Sequence, residues 1–175
     1  YAQTFSVTRS LGPDGGGYQA IEFPMEPTDL LIGDPGVVTL VNASDDAAGT
    51  ITLPAGTTFT YYGTQYSTLF ANANGLITFG TSSTAFTNGD LTTSPSQAGI
   101  AVLWDDWRTD RNVAGEPDSA VLYRIDGDKL IVEWSNVPNR SELDGSVTFQ
   151  AILQLNTGTT NGRIRANFPD ITTNN

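Results

Sequence analysis

Residues 120–134 read AVLYRIDGDKLIVEW. Two runs rich in β-branched, aliphatic and aromatic residues flank the pair Asp126-Gly127. Asp-Gly tolerates the positive φ that a two-residue hairpin turn requires, and the flanking runs favour extended backbone. The stretch predicts an antiparallel hairpin turning at Asp126-Gly127. Alternation in its second strand places Glu133 with Ile131, on the face opposite Leu130 and Val132.

The same kind of signal recurs on both sides. Downstream, SVTFQAILQLN (146–156) and GRIRANF (162–168) read as strands joined by the loop NTGTTNG. Upstream, VVTLV (37–41) and TITL (50–53) are short strands, the second stopped by Pro54, which has no N–H to give a ladder. TFTYYGTQY (58–66) is aromatic-rich with a turn at Gly63, and 68–80 holds two strands about Asn74-Gly75. Ile100 to Trp104 is a continuous apolar run, expected to be a strand covered on both faces. Residues 81–98 and 105–118 read as long polar loops.

No amphipathic helix and no internal repeat is evident. About nine or ten mostly antiparallel strands predict an all-β fold, an antiparallel β-sandwich or jelly roll. Residues 1–36, with LGPDGGG and FPMEP, read as an N-terminal arm or extra strands packing on the core. Residues 37–175 read as the sandwich module, the whole forming one structural domain.

Composition limits the chemistry. Only 15% of the 175 residues are charged and the net charge is -11, against a usual charged share of about 25%. An acidic surface repels phosphate backbones and anionic lipid, so nucleic acid and membranes are not expected partners. No apolar run approaches the roughly 20 residues of a spanning helix. Tyr1 is not an initiator Met, and the chain reads as a mature or excised fragment. There is no Cys and no His, which removes disulfides, thiol nucleophiles, the usual zinc sites and His-based triads. Catalysis would rest on carboxylates, Tyr, Ser/Thr or the single lysine, Lys129. A bound metal would be hard and oxygen-liganded, calcium first.

Residues 103–110, LWDDWRTD, are the first candidate site. Neighbouring strand residues point to opposite faces, so Asp105 and Asp106 converge only where the strand ends. The bland expectation is that they accept backbone N–H groups and shape a turn, with Trp104 in the core and Trp107 as a lid. The metal alternative makes Asp105, Asp106 and Asp110 oxygen ligands of Ca2+, with loop carbonyls or an acid such as Asp118 completing the six to eight oxygens calcium takes. A catalytic pair is the last alternative. Asp45-Asp46, in NASDDAAG, is a second acidic loop that reads first as a solvated turn and second as a calcium loop. Glu133 is expected to face solvent or to pair with Arg124. Its alternative is a general acid whose pKa is raised by burial. Trp107 and Tyr62 are the candidate sugar-stacking residues, although core packing is the ordinary use of such rings.

FTYYGTQYSTLFANANGLITFG, FTNGDLTTSPSQAGIAVLWDDW and AVLYRIDGDKLIVEWSNV followed by VTFQAIL, taken together, resemble a module of large bacterial surface and secreted proteins of planctomycete type. More distantly, the order of apolar strand, W-D-D and hairpin looks like the nidogen-type extracellular domain. The resemblance covers roughly residues 35–172 and implies an exported β-sandwich without an assigned activity. The expected function is therefore a non-catalytic extracellular structural, adhesive or assembly unit of a larger bacterial surface protein, with Ca2+ as an optional cofactor. Its expected partners are other modules of that protein, neighbouring copies, or glycans. A carbohydrate-binding module is the second expectation and a carboxylate-only glycan-active enzyme the third.

Overall fold

The computed structural model describes residues 10–11, 13–21, 29–113, 119–141 and 145–171. The described chain is all-β, with no helix in it. Its strands, in chain order, are β1 (Ser10–Leu11), β2 (Ala20–Ile21), β3 (Val38–Asn42), β4 (Ala48–Thr52), β5 (Phe59–Tyr61), β6 (Thr64–Tyr66), β7 (Thr68–Asn72), β8 (Leu76–Phe79), β9 (Gly99–Ala101), β10 (Ala120–Asp126), β11 (Lys129–Val137), β12 (Val147–Gln154) and β13 (Ile164–Asp170). A five-stranded sheet runs β13-β12-β11-β10-β3, and a four-stranded sheet runs β4-β7-β8-β9. β1-β2 and β5-β6 form separate two-stranded pairs. All pairings are antiparallel.

The β10-β11 hairpin forms where the sequence predicts it, one residue later at the turn. Asp126 and Lys129 pair, leaving Gly127 and Asp128 as the turn residues. Gly127 carries the positive φ, 58°, so glycine occupies the first central position, as a II′ turn requires.

Alternation on this hairpin builds the core. Val121 on β10 and Leu130, Val132 and Trp134 on β11 face the four-stranded sheet, where Ile51, Leu69, Ala71, Ile77 and Phe79 meet them in one buried cluster. Trp134 stacks on Phe149 with ring centroids 4.9 Å apart and planes 10° apart. The opposite face of the five-stranded sheet is also covered. There Leu30, from the segment before β3, seals Ala120, Leu122 and Ile131.

The Ile100–Trp104 run is shorter as a strand than its apolar pattern suggests. β9 ends at Ala101 because its partner β8 begins at Leu76, just past the β7-β8 turn. Val102 N–H still reaches Gly75 O at 3.0 Å. From there the chain leaves the sheet, which releases Leu103 to Asp110 to form the loop considered next.

Candidate functional site

Four loop segments meet at one end of the sandwich. The first, between β3 and β4, carries Asp45 and Asp46. It is pinned to the segment after β9 by Ala43 N–H to Thr109 O (2.7 Å) and Thr109 N–H to Ser44 O (2.9 Å). The second is the β7-β8 turn. Asn72 organises it by accepting the N–H groups of Asn74 and Leu76 on Oδ1, both at 3.0 Å. The third is the Leu103–Asp110 segment, joined to that turn by Asp105 N–H to Asn74 O at 3.2 Å. The fourth, after β11, reaches the third through Arg140 N–H to Asp106 O (2.8 Å) and Arg108 N–H to Pro138 O (3.0 Å).

This meeting brings Asp45, Asp46 and Asp106 together. One carboxylate oxygen from each lies within 4.8 Å of the others, and all three residues are half-buried. Asn74, which has no solvent exposure, completes the group. Its Nδ2 donates to Asp46 Oδ1 at 3.0 Å. Asp106 Oδ1 and Asn74 Oδ1 are buried oxygens with no hydrogen-bond partner. Such orphans ordinarily cost about 1–3 kcal/mol each. The pKa of Asp106 is raised, first by burial and then by Asp45 and Asp46, with Arg140 opposing. Arg140 pairs with Asp45 Oδ2, and Arg108 Nε stands 3.5 Å from Asp45 Oδ1.

The structure keeps Asp106 from the sequence-based set and regroups the rest. Asp105 bends back to accept the N–H of Asp106 at 2.8 Å, the turn-forming role expected of an Asp at a strand end. Asp110 is corrected as a metal ligand: Arg108 holds both its oxygens, at 2.8 and 2.7 Å, and keeps its pKa low. Asp118 lies outside the described residues. Asp45 and Asp46 form part of a half-buried cluster rather than a solvated turn. Asn74 carried only a turn signal in the sequence, and nothing local marks it as a neighbour of Asp46, 28 residues away.

The aromatic candidates do not assemble into a platform. Trp107 is 7% exposed, lies in the main core beside Phe149, and donates Nε1–H to Leu103 O at 2.7 Å. It therefore offers no face for stacking, which corrects its assignment as a ligand-binding residue or a lid. Trp104 is the one that sits outside the main core, tied to the 81–98 loop through Nε1–H to Ala85 O at 3.1 Å. Tyr62 is half exposed at a turn with φ of 46°. However, its hydroxyl donates to Asp14, its ring meets Tyr61 edge-on at 4.7 Å, and the Gly16 backbone lies against it so closely that a Cβ there would fall 1.9 Å from the ring.

Glu133 departs furthest from expectation. It is completely buried and lies between Leu122 and Gln150 in the sheet register, while Arg124 faces Ile131. Its Oε2 accepts the N–H of Leu30 at 3.2 Å and a bond from Gln150 Nε2. Gln150 Oε1 in turn accepts from Asn167 at 3.2 Å. Burial pushes the Glu133 pKa up from 4.5 to about 7, with Asp29 adding to the rise and the Gln150 and Leu30 bonds opposing it.

No curated protein and no solved structure gives a match to this chain. A family model described as NIDO related, that is nidogen-related, matches residues 31–174. That span holds both main sheets and every loop of the acidic cluster, and the chain belongs to the nidogen-related family.

Proposed function

We propose that the chain is a non-catalytic extracellular module, a structural, adhesive or assembly unit of a larger bacterial surface protein. One observation carries the non-catalytic part. Glu133, the carboxyl whose pKa would suit a general acid near neutral pH, has no solvent exposure and is capped by the Leu30 N–H and the Gln150 amide. Its cross-strand neighbours, Leu122 and Gln150, are not carboxylates; Asp29 acts on it only through its charge, and a sealed carboxyl cannot serve as one of the pair that glycoside hydrolysis needs. The nidogen-related family and the likeness to exported sandwich modules support the extracellular part. For assembly, both main sheets are open rather than closed into a barrel, and an edge strand of an open sheet can accept a strand from another module or a neighbouring copy.

The test has three readouts on the purified chain and on cells that make it. Antibody raised against the chain should label intact cells, a glycan array should show no specific binding, and a panel of chromogenic glycosides should remain unhydrolysed. Glycan binding lost in Tyr62→Ala would replace this reading with a carbohydrate-binding module. Turnover abolished by Glu133→Gln would replace it with an enzyme. Labelling only after cells are opened would remove the extracellular assignment.

A further inference from the structure

The acidic cluster contains more oxygen than its neighbours use. Asp45, Asp46 and Asp106 place one oxygen each within 4.8 Å of the others. Calcium–oxygen distances are about 2.3–2.6 Å, so two ligands on opposite sides of one ion stand about 4.6–5.2 Å apart. The three oxygens are thus spaced to share a single ion of that size.

The second observation is independent of the carboxylates. Asn74 is fully buried, its carboxamide touches Asp46, and its Oδ1 has no partner. A fully buried carboxamide that touches one of the three acids and leaves its own oxygen without a donor is chemically suited to a cation. Nor do the local arginines account for the group. Arg140 is directed at Asp45 and Arg108 chiefly at Asp110, while Asp106 Oδ1 is without a hydrogen-bond partner.

We infer that Asp45, Asp46, Asp106 and the side-chain oxygen of Asn74 form a binding site for one calcium ion, which clamps the β3-β4 loop and the β7-β8 turn to the segment after β9. The donors are all hard oxygens, in keeping with calcium over zinc or copper. Backbone bonds from Ala43 to Thr109 and from Asp105 to Asn74 tie these segments together independently of their carboxylates. Magnesium, which wants near-ideal octahedral geometry and keeps several waters, fits the set less well. The inference is independent of the role proposed for the module, since an adhesive, glycan-binding or catalytic chain could carry such a site.

The experiment is a titration of the EDTA-treated, dialysed chain with CaCl2 by calorimetry, and with TbCl3 by tryptophan-sensitised emission. Trp107 adjoins Asp106 in the chain, so bound terbium should be sensitised. One ion per chain is expected, with a dissociation constant of about 0.1–1 mM, the weak end of the range for oxygen-liganded calcium sites. Asp46→Asn and Asp106→Asn should each weaken binding at least about tenfold, and Asp110→Asn should leave it unchanged. Near-UV circular dichroism establishes that each variant is folded, and the wild-type titration decides the matter even if one variant is not. Neither calcium heat nor terbium emission from the wild type would overturn the site. So would binding that survives in folded Asp46→Asn and Asp106→Asn, or that is lost in Asp110→Asn. Equal affinity for MgCl2 would overturn the calcium assignment.

Discussion

The indole Nε1–H of Trp134 donates to the main-chain carbonyl of Asn72 at 2.7 Å, spanning the two sheets. Trp134 is the centre of the core, stacked on Phe149, and Asn72 is the residue whose Oδ1 shapes the turn carrying Asn74. Core packing and the acidic end of the sandwich are therefore mechanically joined at one hydrogen bond.

Trp134→Phe removes that donor, strands the Asn72 carbonyl and leaves a smaller ring in a filled space. The expected loss is at least about 2 kcal/mol, combining an unsatisfied buried acceptor with a cavity. Urea unfolding followed by circular dichroism measures it. An unchanged midpoint would show that the sheets do not depend on this contact.

Gly75→Ala attacks the same turn from its other side. Gly75 has φ of 84°, and a Cβ there would fall 2.1 Å from Leu103 O. Neither the backbone carbonyl nor the positive φ can be accommodated cheaply. A loss above about 1 kcal/mol is expected, read from the same urea curves.

Trp107→Ala separates a core tryptophan from a surface one. Buried against Phe149, it should cost about 3–5 kcal/mol, whereas an exposed stacking residue would cost a few tenths. A thermal melt distinguishes these outcomes by many degrees.

Glu133 makes stability pH-dependent in a direction opposite to ordinary acid denaturation. The unfolded group ionises near 4.5 and the folded one near 7. Between those values the folded chain binds more protons than the unfolded chain, so stability falls as pH rises through that window. The full penalty applies above pH 7 and is absent below pH 4.5. Its size is at most about 3 kcal/mol. Glu133→Gln keeps an acceptor for the Leu30 N–H and should abolish the decline, leaving the variant more stable than wild type at pH 8. Urea midpoints of both chains across pH 4.5–8 test this; parallel curves would mean that Glu133 does not titrate in that window.

The sequence and the structure agree where information is local. AVLYRI and KLIVEW alternate cleanly about a glycine, and the hairpin, its faces and the position of Glu133 beside Ile131 all follow. The burial of Glu133 does not follow, because Leu30, 103 residues away, is what closes over it. The end of β9 is likewise set by its partner. Val102 to Trp104 are apolar enough to continue, but β8 begins at Leu76, leaving Val102 only the Gly75 carbonyl of the turn. The acidic group is the most distant relationship. Asp106 meets Asp45 and Asp46 only because Thr109 binds the backbone at Ala43 and Ser44, a pairing that no spacing within LWDDWRTD encodes.

Glu133, Gln150 and Asn167 occupy one row across three adjacent strands, all but inaccessible to water. A shift of β12 by one residue would turn Gln150 toward the apolar core and leave Glu133 facing a hydrocarbon neighbour. That slip would leave the buried amides and the carboxyl without their native partners. The row thus discriminates between alignments, because only the native one lets Glu133 Oε2, Gln150 and Asn167 bond in sequence. The row adds a polar check to a register that the buried apolar alternation of β11 and β12 already favours.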